Sequence, residues 1–260
     1  MAYRDFEIAP TGSTYGSEDR TIGEWTAEWW KWAVALPDEP GGSDNALEDT
    51  SGVFAYQGDV GEVFFVAGTL GGEEVERFFA VPQGTPLLVP LLSASVALPI
   101  AEKATPEQKA ENLGLVQETL DFLVAHASRV HLSIDDRTVI DEDPDVDGGP
   151  NPALHYEESP VFSYGIFEER EDEATVGFQN GFFTDADGNP PAEGDVLTPV
   201  DAAGWWTLIT DLSPGYHKIE FGGEFTLDDG TTFSTEVVDH ILVLPQPLYE
   251  VVEFLHTIIA

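Results

Sequence analysis

The closing stretch of the chain carries the pattern that most restricts its fold. Several runs of alternating apolar and polar residues are separated by short pairs that contain glycine. Alternation with a period of two is typical of strands, and glycine pairs between such runs predict tight turns. We therefore expect these runs to form an antiparallel meander, with turns at Pro214-Gly215, Gly222-Gly223 and Asp229-Gly230. The alternating runs are residues 205–210, 216–221, 224–227 and 232–244.

The N-terminal part of the chain predicts a tryptophan-rich helix. Thr21 is followed by Glu24 at the spacing of a capping box, and the helix ends at about Leu36, before a proline. Tryptophans recur every three or four residues along it and share one face, which is more typical of a core than of a ligand site. Trp30 points away from that face. Trp30 is therefore one candidate ligand-binding ring. Trp205 is the second candidate, and a glycan is the candidate ligand.

Two further helices follow from the same kind of signal. Thr105-Pro106 starts a long helix near residues 105–127, with threonine as its cap and proline at its first position. After Pro245 and Pro247 a last amphipathic helix is predicted, and its apolar stripe must be buried in its own chain or in a neighbouring subunit. A homo-oligomer through this helix is one of the predictions. The stripe consists of Leu248, Val251, Val252, Leu255, Ile258 and Ile259.

Shorter apolar runs between the helices predict the remaining strands. No long linker and no repeat divides the chain. We therefore predict an α+β, mainly β fold: an antiparallel β-sandwich of jelly-roll or immunoglobulin-like type with embedded helices. It forms one domain over residues 21–260, after an irregular N-terminal arm at residues 1–20.

Charge restricts the partners of this chain. Acidic residues outnumber basic ones by 49 to 10, which gives a net charge of −39. This balance excludes nucleic-acid binding through phosphate neutralisation and disfavours an anionic membrane surface. So many like charges repel one another in dilute buffer and are screened in molar salt. The distribution resembles that of proteins from salt-in halophiles, such as haloarchaea; the alternative is an acidic protein of a non-halophile.

Cysteine is absent, which excludes disulfides, thiolate nucleophiles and cysteine-type metal sites. No stretch is apolar for long enough to cross a membrane, so no membrane insertion is predicted. The start of the sequence shows no signal-peptide pattern. As it stands, the sequence predicts the cytoplasm of a high-salt organism; the alternative is an extracellular protein whose leader is absent from this sequence.

Three segments together resemble a family of uncharacterised bacterial and archaeal proteins, most of which are predicted to be secreted. Residues 24–37 are similar to its tryptophan-rich opening, and residues 61–90 to its strand, Gly-Gly, strand and Val-Pro-x-Gly block. Residues 213–243 resemble its closing hairpin, with the pattern Pro-Gly-x-His-x-Ile-x-Phe-Gly-Gly. The resemblance implies a shared architecture and carries no catalytic residue.

An acidic loop offers the clearest candidate for a cation site. Asp143, Asp145 and Asp147 alternate and are followed by Gly148, as in the first half of a calcium-binding loop. Leu154 stands where such a loop requires a bidentate glutamate. Ca²⁺ bound by the three aspartates is one interpretation, and a solvated acidic loop is the other.

Two histidines and two neighbouring acids are the candidates for acid–base chemistry. No pair of the six histidines has the His-x-x-x-His spacing, and no His-Glu-x-x-His helix occurs. His217 and His240 lie on strands predicted to be close, with Glu220 and Asp239 beside them, so the four are candidates for catalysis or metal binding. The alternative is that both histidines are structural.

Together these features favour a halophilic, non-enzymatic binding or assembly module that takes a glycan or a protein partner. Two alternatives stay open. One is a cation-assisted hydrolase or lyase that uses His217, His240 and neighbouring carboxylates. The other is a structural subunit of a filament or shell.

Overall fold

The computed structural model describes residues 6–38, 46–69, 74–100, 105–143, 151–164, 175–176 and 196–259. Within these ranges the fold is mainly β, with three α-helices and a short 3-10 helix at Ala55–Gly58. The strands are β1 (Phe6–Ile8), β2 (Thr14–Tyr15), β3 (Arg20–Thr21), β4 (Pro37–Asp38), β5 (Phe64–Phe65), β6 (Val75–Pro82), β7 (Leu87–Ile100), β8 (Ala127–Ile134), β9 (Arg137–Glu142), β10 (His155–Glu158), β11 (Phe162–Tyr164), β12 (Thr175–Val176), β13 (Val196–Leu212), β14 (Gly215–Thr226) and β15 (Thr232–Leu244). The helices are α1 (Ile22–Ala35), α2 (Pro106–Ala125) and α3 (Gln246–Ile259).

Two larger sheets form the body of the protein. One has five strands in the order β6-β15-β14-β8-β9. The other has six strands: β13 pairs with β7, and β7 pairs with β5. Strands β1, β10 and β11 lie one after another along the opposite edge of β13. The sequence predicted antiparallel sheets. Both sheets are mixed instead, because β6 runs parallel to β15 and β5 runs parallel to β7.

The two sheets share one apolar core. Val89 and Trp205 from the six-stranded sheet belong to the same buried cluster as Leu132, Phe221 and Ile241 from the five-stranded sheet. We call the face of the five-stranded sheet that points away from this core the outer face. Since strand residues alternate between faces, a shift of one position moves a side chain from the core to the outer face.

Helix α1 covers the other side of the six-stranded sheet. The predicted capping box is present, with Thr21 and Glu24 hydrogen-bonded to each other's backbone amide. Trp25 and Trp29 are buried against Leu88 and Trp206. The predicted tryptophan face is therefore core.

Helices α2 and α3 form where the sequence predicts them. The cap at Thr105 is present, and Val116 and Leu120 are the buried residues of α2. Helix α3 contacts β6 and buries Tyr249, whereas Leu248 and Val251 are more than half exposed. Leu255, Ile258 and Ile259 lie outside the side chains that the structure describes.

Two further expectations differ from the structure. The segment at residues 1–20, predicted to be irregular, contributes β1, which pairs with β13, and the small β2–β3 pair. Gly222-Gly223 is not a turn, because β14 continues through it.

Within the described ranges no helix has the length and apolar character that crossing a membrane requires.

Candidate functional site

His217 and His240, predicted to act together, lie on neighbouring strands but on opposite faces of the sheet. In the register of β14 and β15, Lys218 is opposite His240 and His217 is opposite Ile241. Directly opposite residues share a face, so His240 is on the outer face and His217 is on the core side. A catalytic centre that uses both histidines is not assembled.

His217 is held in a buried structural network. Its Nδ1 lies 2.7 Å from Asp135 Oδ2, and its Nε2 lies 2.8 Å from the backbone oxygen of Ser213. The second oxygen of Asp135 accepts from the Lys218 amide. His217 therefore links the turn between β8 and β9 to the start of β14.

Asp239 also has a structural role in this fold. It is fully buried, and Arg77 Nε donates to its Oδ1 at 2.9 Å. The same guanidinium donates to the backbone oxygens of Ala46 and Ala67. Burial raises the pKa of the Asp239 carboxyl, while the positive charge of Arg77 opposes that shift. The pair ties β6 and β15 to Ala46, before β5, and to Ala67, just after it.

His240 is the centre of a different arrangement, on the outer face. Its Nε2 lies 2.8 Å from Glu76 Oε1, and its Nδ1 is hydrogen-bonded to the hydroxyl of Tyr216. The Phe78 ring stacks on the imidazole with centroids 4.1 Å apart and planes 4° apart. The Tyr216 ring lies 5.9 Å from the imidazole, at 25°. We call Phe78, His240 and Tyr216 the aromatic stack.

The outer two rings of the aromatic stack are open to solvent. Phe78 and Tyr216 are each 60 % exposed, and Leu242 beside them is 44 % exposed. Among the described residues strand β6 is the edge of its sheet, and along this edge the Phe78 amide donates to the backbone oxygen of Ser51. Large exposed apolar side chains that lie next to one another are typical of binding surfaces.

Charged residues border the aromatic stack on the same face. Glu220 accepts from the Ser133 hydroxyl at 2.8 Å and lies 3.2 Å from the Lys218 amine. Lys218 also pairs with Asp136 at 2.7 Å. The hydrogen bonds that the Lys218 amine donates to both acids raise the pKa of Lys218. Glu220 is thus a member of a surface ion-pair network, two positions along β14 from the lysine.

Neither of the two tryptophans that the sequence suggested for ligand binding is exposed. Trp205 is 1 % exposed and packs on Tyr156 in the core. Trp30 is half-buried and packs edge-on against Trp29, with ring centroids 5.1 Å apart. Trp30 lines a cavity of about 50 Å³ together with Leu92 and Phe221, which admits water but no sugar ring.

The predicted calcium loop falls largely outside the described part of the chain. Asp145 and Asp147 are not described, and Asp143 is exposed. Among the residues that the structure does describe, no three histidine, aspartate or glutamate side chains are grouped so that they could hold a metal ion. A Ca²⁺ site at the three aspartates stays a prediction.

A wider groove of about 430 Å³ lies at the start of α1, bordered by Thr11, Glu24 and Glu157. Burial raises the pKa of Glu157, and a hydrogen bond from the backbone of Gly23 acts in the opposite direction. The backbone amide of Gly23, at the start of α1, thus already donates a hydrogen bond to the Glu157 carboxyl. We therefore regard the aromatic stack as the stronger candidate site.

Comparison of the chain with protein-family models, with curated proteins and with solved structures finds no match in any of the three. The resemblance of three segments to a bacterial and archaeal family stays a prediction.

Sequence reasoning missed Phe78, Tyr216 and Glu76. Phe78 precedes a buried Phe79 in a run that is apolar at successive positions, so alternation alone does not indicate which ring is exposed. Tyr216, Lys218 and Glu220 do alternate with buried residues along β14. That alternation was the available signal for an outer face with a tyrosine next to charged groups.

Proposed function

We propose that this protein is a non-enzymatic binding module and that the aromatic stack on its outer face binds a neutral glycan. The observation that carries the proposal is the pair of exposed rings, Phe78 and Tyr216, held against His240 by stacking and a hydrogen bond. A sandwich of jelly-roll or immunoglobulin-like type is part of the same proposal.

The chemistry of the aromatic stack suits a sugar. One face of a pyranose ring carries C–H groups, which pack on aromatic rings, and its edges carry hydroxyls. Glu76 offers carboxylate oxygens as acceptors beside Phe78, and the Tyr216 hydroxyl can take part in hydrogen bonds at the other end. Apolar rings and polar edges therefore meet matching groups on the protein.

The charge of the protein favours a neutral ligand. A chain of net charge −39 repels polyanions in dilute buffer, and Glu76 adds a negative charge directly at the stack. A neutral glycan avoids this repulsion. Assembly with further subunits through α3 is an additional proposal, supported by the exposure of Leu248 and Val251.

One observation favours the hydrolase or lyase alternative. Glu76, His240 and Tyr216 form a hydrogen-bonded chain in which a carboxylate orients an imidazole that contacts a hydroxyl. The predicted arrangement also used His217 and Asp239. Both lie on the core side of the sheet, where Asp239 pairs with Arg77. Release of reducing ends or of unsaturated products from a bound oligosaccharide would establish catalysis and overturn the non-enzymatic proposal.

Binding of a neutral oligosaccharide, such as a galactose tetrasaccharide, tests the proposal by calorimetry in about 1 M salt, where exposed charges are screened. Phe78→Ala should weaken binding about three- to tenfold, since an aromatic contact contributes about 0.5–1.5 kcal/mol. Phe233→Ala is the matched control, because Phe233 is also an exposed phenylalanine of the same sheet, at the far end of β15. Equal losses in the two variants, or no binding to a panel of neutral oligosaccharides, would overturn the proposal.

A further inference from the structure

His240 has partners of two different kinds at its ring nitrogens. Nε2 faces a carboxylate oxygen of Glu76, which only accepts, so Nε2 carries a proton. Nδ1 faces the Tyr216 hydroxyl, which can either donate or accept. In a neutral imidazole Nδ1 has no proton, and Tyr216 must donate to it. The hydroxyl proton of Tyr216 is then used within the aromatic stack.

Protonation of His240 reverses the hydrogen bond with Tyr216. Nδ1 then carries a proton and donates to Tyr216 Oη, and the O–H of Tyr216 becomes free to donate to a ligand. Since Tyr216 is 60 % exposed, this freed donor is accessible at the surface. The imidazole thus sets whether the tyrosine offers a ligand only acceptor lone pairs or also an O–H donor.

The groups around His240 define its electrostatic surroundings on each element. On the outer face, β6 supplies Glu76 and β14 supplies Tyr216, with Lys218 and Glu220 further along. Asp136, from the turn before β9, neutralises Lys218. On the core side of β15 and β6, Asp239 and Arg77 form their own ion pair. Glu76 is therefore the charged group in direct contact with the imidazole.

We propose that the charge of His240 selects the class of glycan that the aromatic stack binds: a neutral glycan when His240 is neutral, and a carboxylate-bearing glycan when it is protonated. This inference rests on the proposed function. A neutral sugar that covers the stack removes water from the imidazole and disfavours its charged form. A uronate carboxylate instead accepts from the freed Tyr216 hydroxyl and is attracted by the imidazolium.

The test compares a galactose tetrasaccharide with the tetrasaccharide of galacturonic acid, which differs from it in its carboxylates. Both affinities are measured in about 1 M salt, where the charge of the remaining surface is screened. Histidine changes its charge between about pH 5 and pH 8. Across this range the preference for the acidic over the neutral ligand should change by about tenfold, with the acidic ligand favoured at the low end.

Two variants separate the roles of the ring and of the hydroxyl. His240→Gln keeps a polar side chain without a titrating ring, and its ligand preference should be the same at both ends of the pH range. Tyr216→Phe keeps the ring but lacks the donor, so the gain for the acidic ligand at low pH should be largely lost. Phe233→Ala should retain the full pH response of the unaltered protein.

Nitrogen NMR of the His240 imidazole, without ligand, follows its charge and tautomer independently of binding. An imidazole that keeps one charge state over the whole range would overturn the inference. So would a constant preference while the galactose tetrasaccharide binds, a result that leaves the proposed function standing. If neither tetrasaccharide nor any member of the neutral panel binds, the proposed function fails, and the inference fails with it.

Discussion

His217 and His240 have different surroundings because a single strand position separates the two faces of a sheet. His217 shares the core side with Ile219 and Phe221, and its two nitrogens are bonded to groups of the protein. His240 shares the outer face with Tyr216 and Phe78, both of which solvent reaches. The same residue type is therefore a structural link in one place and a candidate ligand contact in the other.

Asp239 shows why proximity in sequence to His240 does not imply a shared role. Replacing Asp239 with alanine would leave the Arg77 guanidinium buried without a counter-charge. Removing one partner of a buried ion pair costs about 3–5 kcal/mol of unfolding free energy. We expect Asp239→Ala to lose stability in this range, measured by denaturant unfolding in the same high-salt buffer.

Glu118→Ala on α2 is the control for this prediction, because Glu118 is also acidic but exposed. Its effect should stay within about 0.5 kcal/mol. A loss of similar size in the two variants would contradict a structural role for the Arg77–Asp239 pair. The sequence placed His217, Glu220, Asp239 and His240 on neighbouring strands correctly. Alternation along β14 carried the signal for the faces there, but the partner of Asp239 could not be predicted, because Arg77 lies on β6, far away in the chain.

At the scale of elements, local signals were sufficient for the helices but not for the strands. The caps at Thr21 and Thr105 depend on a residue only three positions away, and both are present. The edges and neighbours of strands depend on distant segments. The parallel pairing of β6 with β15, which brings Phe78 beside His240, has no local signature in the sequence.

Gly222-Gly223 illustrates this difference between local and distant causes. A glycine pair within alternating residues predicts a turn, yet β14 continues through it because other strands approach closely. A Cβ on Gly223 would lie 2.6 Å from Leu92 Cβ in the facing sheet and 3.0 Å from the backbone oxygen of Arg129. The glycine is thus required by the packing of one sheet on the other.

Alanine substitutions at two glycines should therefore have opposite effects on stability. Gly223→Ala forces the facing sheets apart, and we expect a loss of about 1–3 kcal/mol, as for other overpacked cores. Gly114→Ala on α2 meets no atom within 4 Å and replaces a poor helix former, so it should gain about 0.5–1 kcal/mol. Thermal and denaturant unfolding measure both. A Gly223→Ala protein that is as stable as the unaltered protein would contradict the close approach of β14 and β7.

At the scale of the whole molecule, charge is the dominant feature. Several basic side chains already pair with acids, as Arg129 does with Asp141 and Lys31 with Glu28. With 49 acidic residues and 10 basic ones, most carboxylates have no basic partner. Their mutual repulsion is relieved when the chain unfolds and the charges move apart. Salt should therefore stabilise the folded state more than it stabilises the unfolded chain.

We expect the thermal midpoint to rise steeply as salt is increased from about 0.01 M to about 1 M, because the screening length falls from about 30 Å to about 3 Å over this range. If screening is the cause, sodium chloride and potassium chloride should raise the thermal midpoint equally. A midpoint that is flat or falls over this range would contradict the halophilic interpretation.

Salt at higher concentration also strengthens apolar burial, so screening must be separated from this second effect. Screening is nearly complete at about 1 M, whereas exclusion of cosolutes from the protein surface continues to grow with concentration. Sucrose is excluded from the surface but does not screen charge, which makes it the matched control. If repulsion between carboxylates limits stability, salt should raise the midpoint mainly below about 1 M, and sucrose at equal osmolality should give a smaller and more gradual rise. Equal responses to salt and to sucrose would show that apolar burial, and not charge, accounts for the stabilisation.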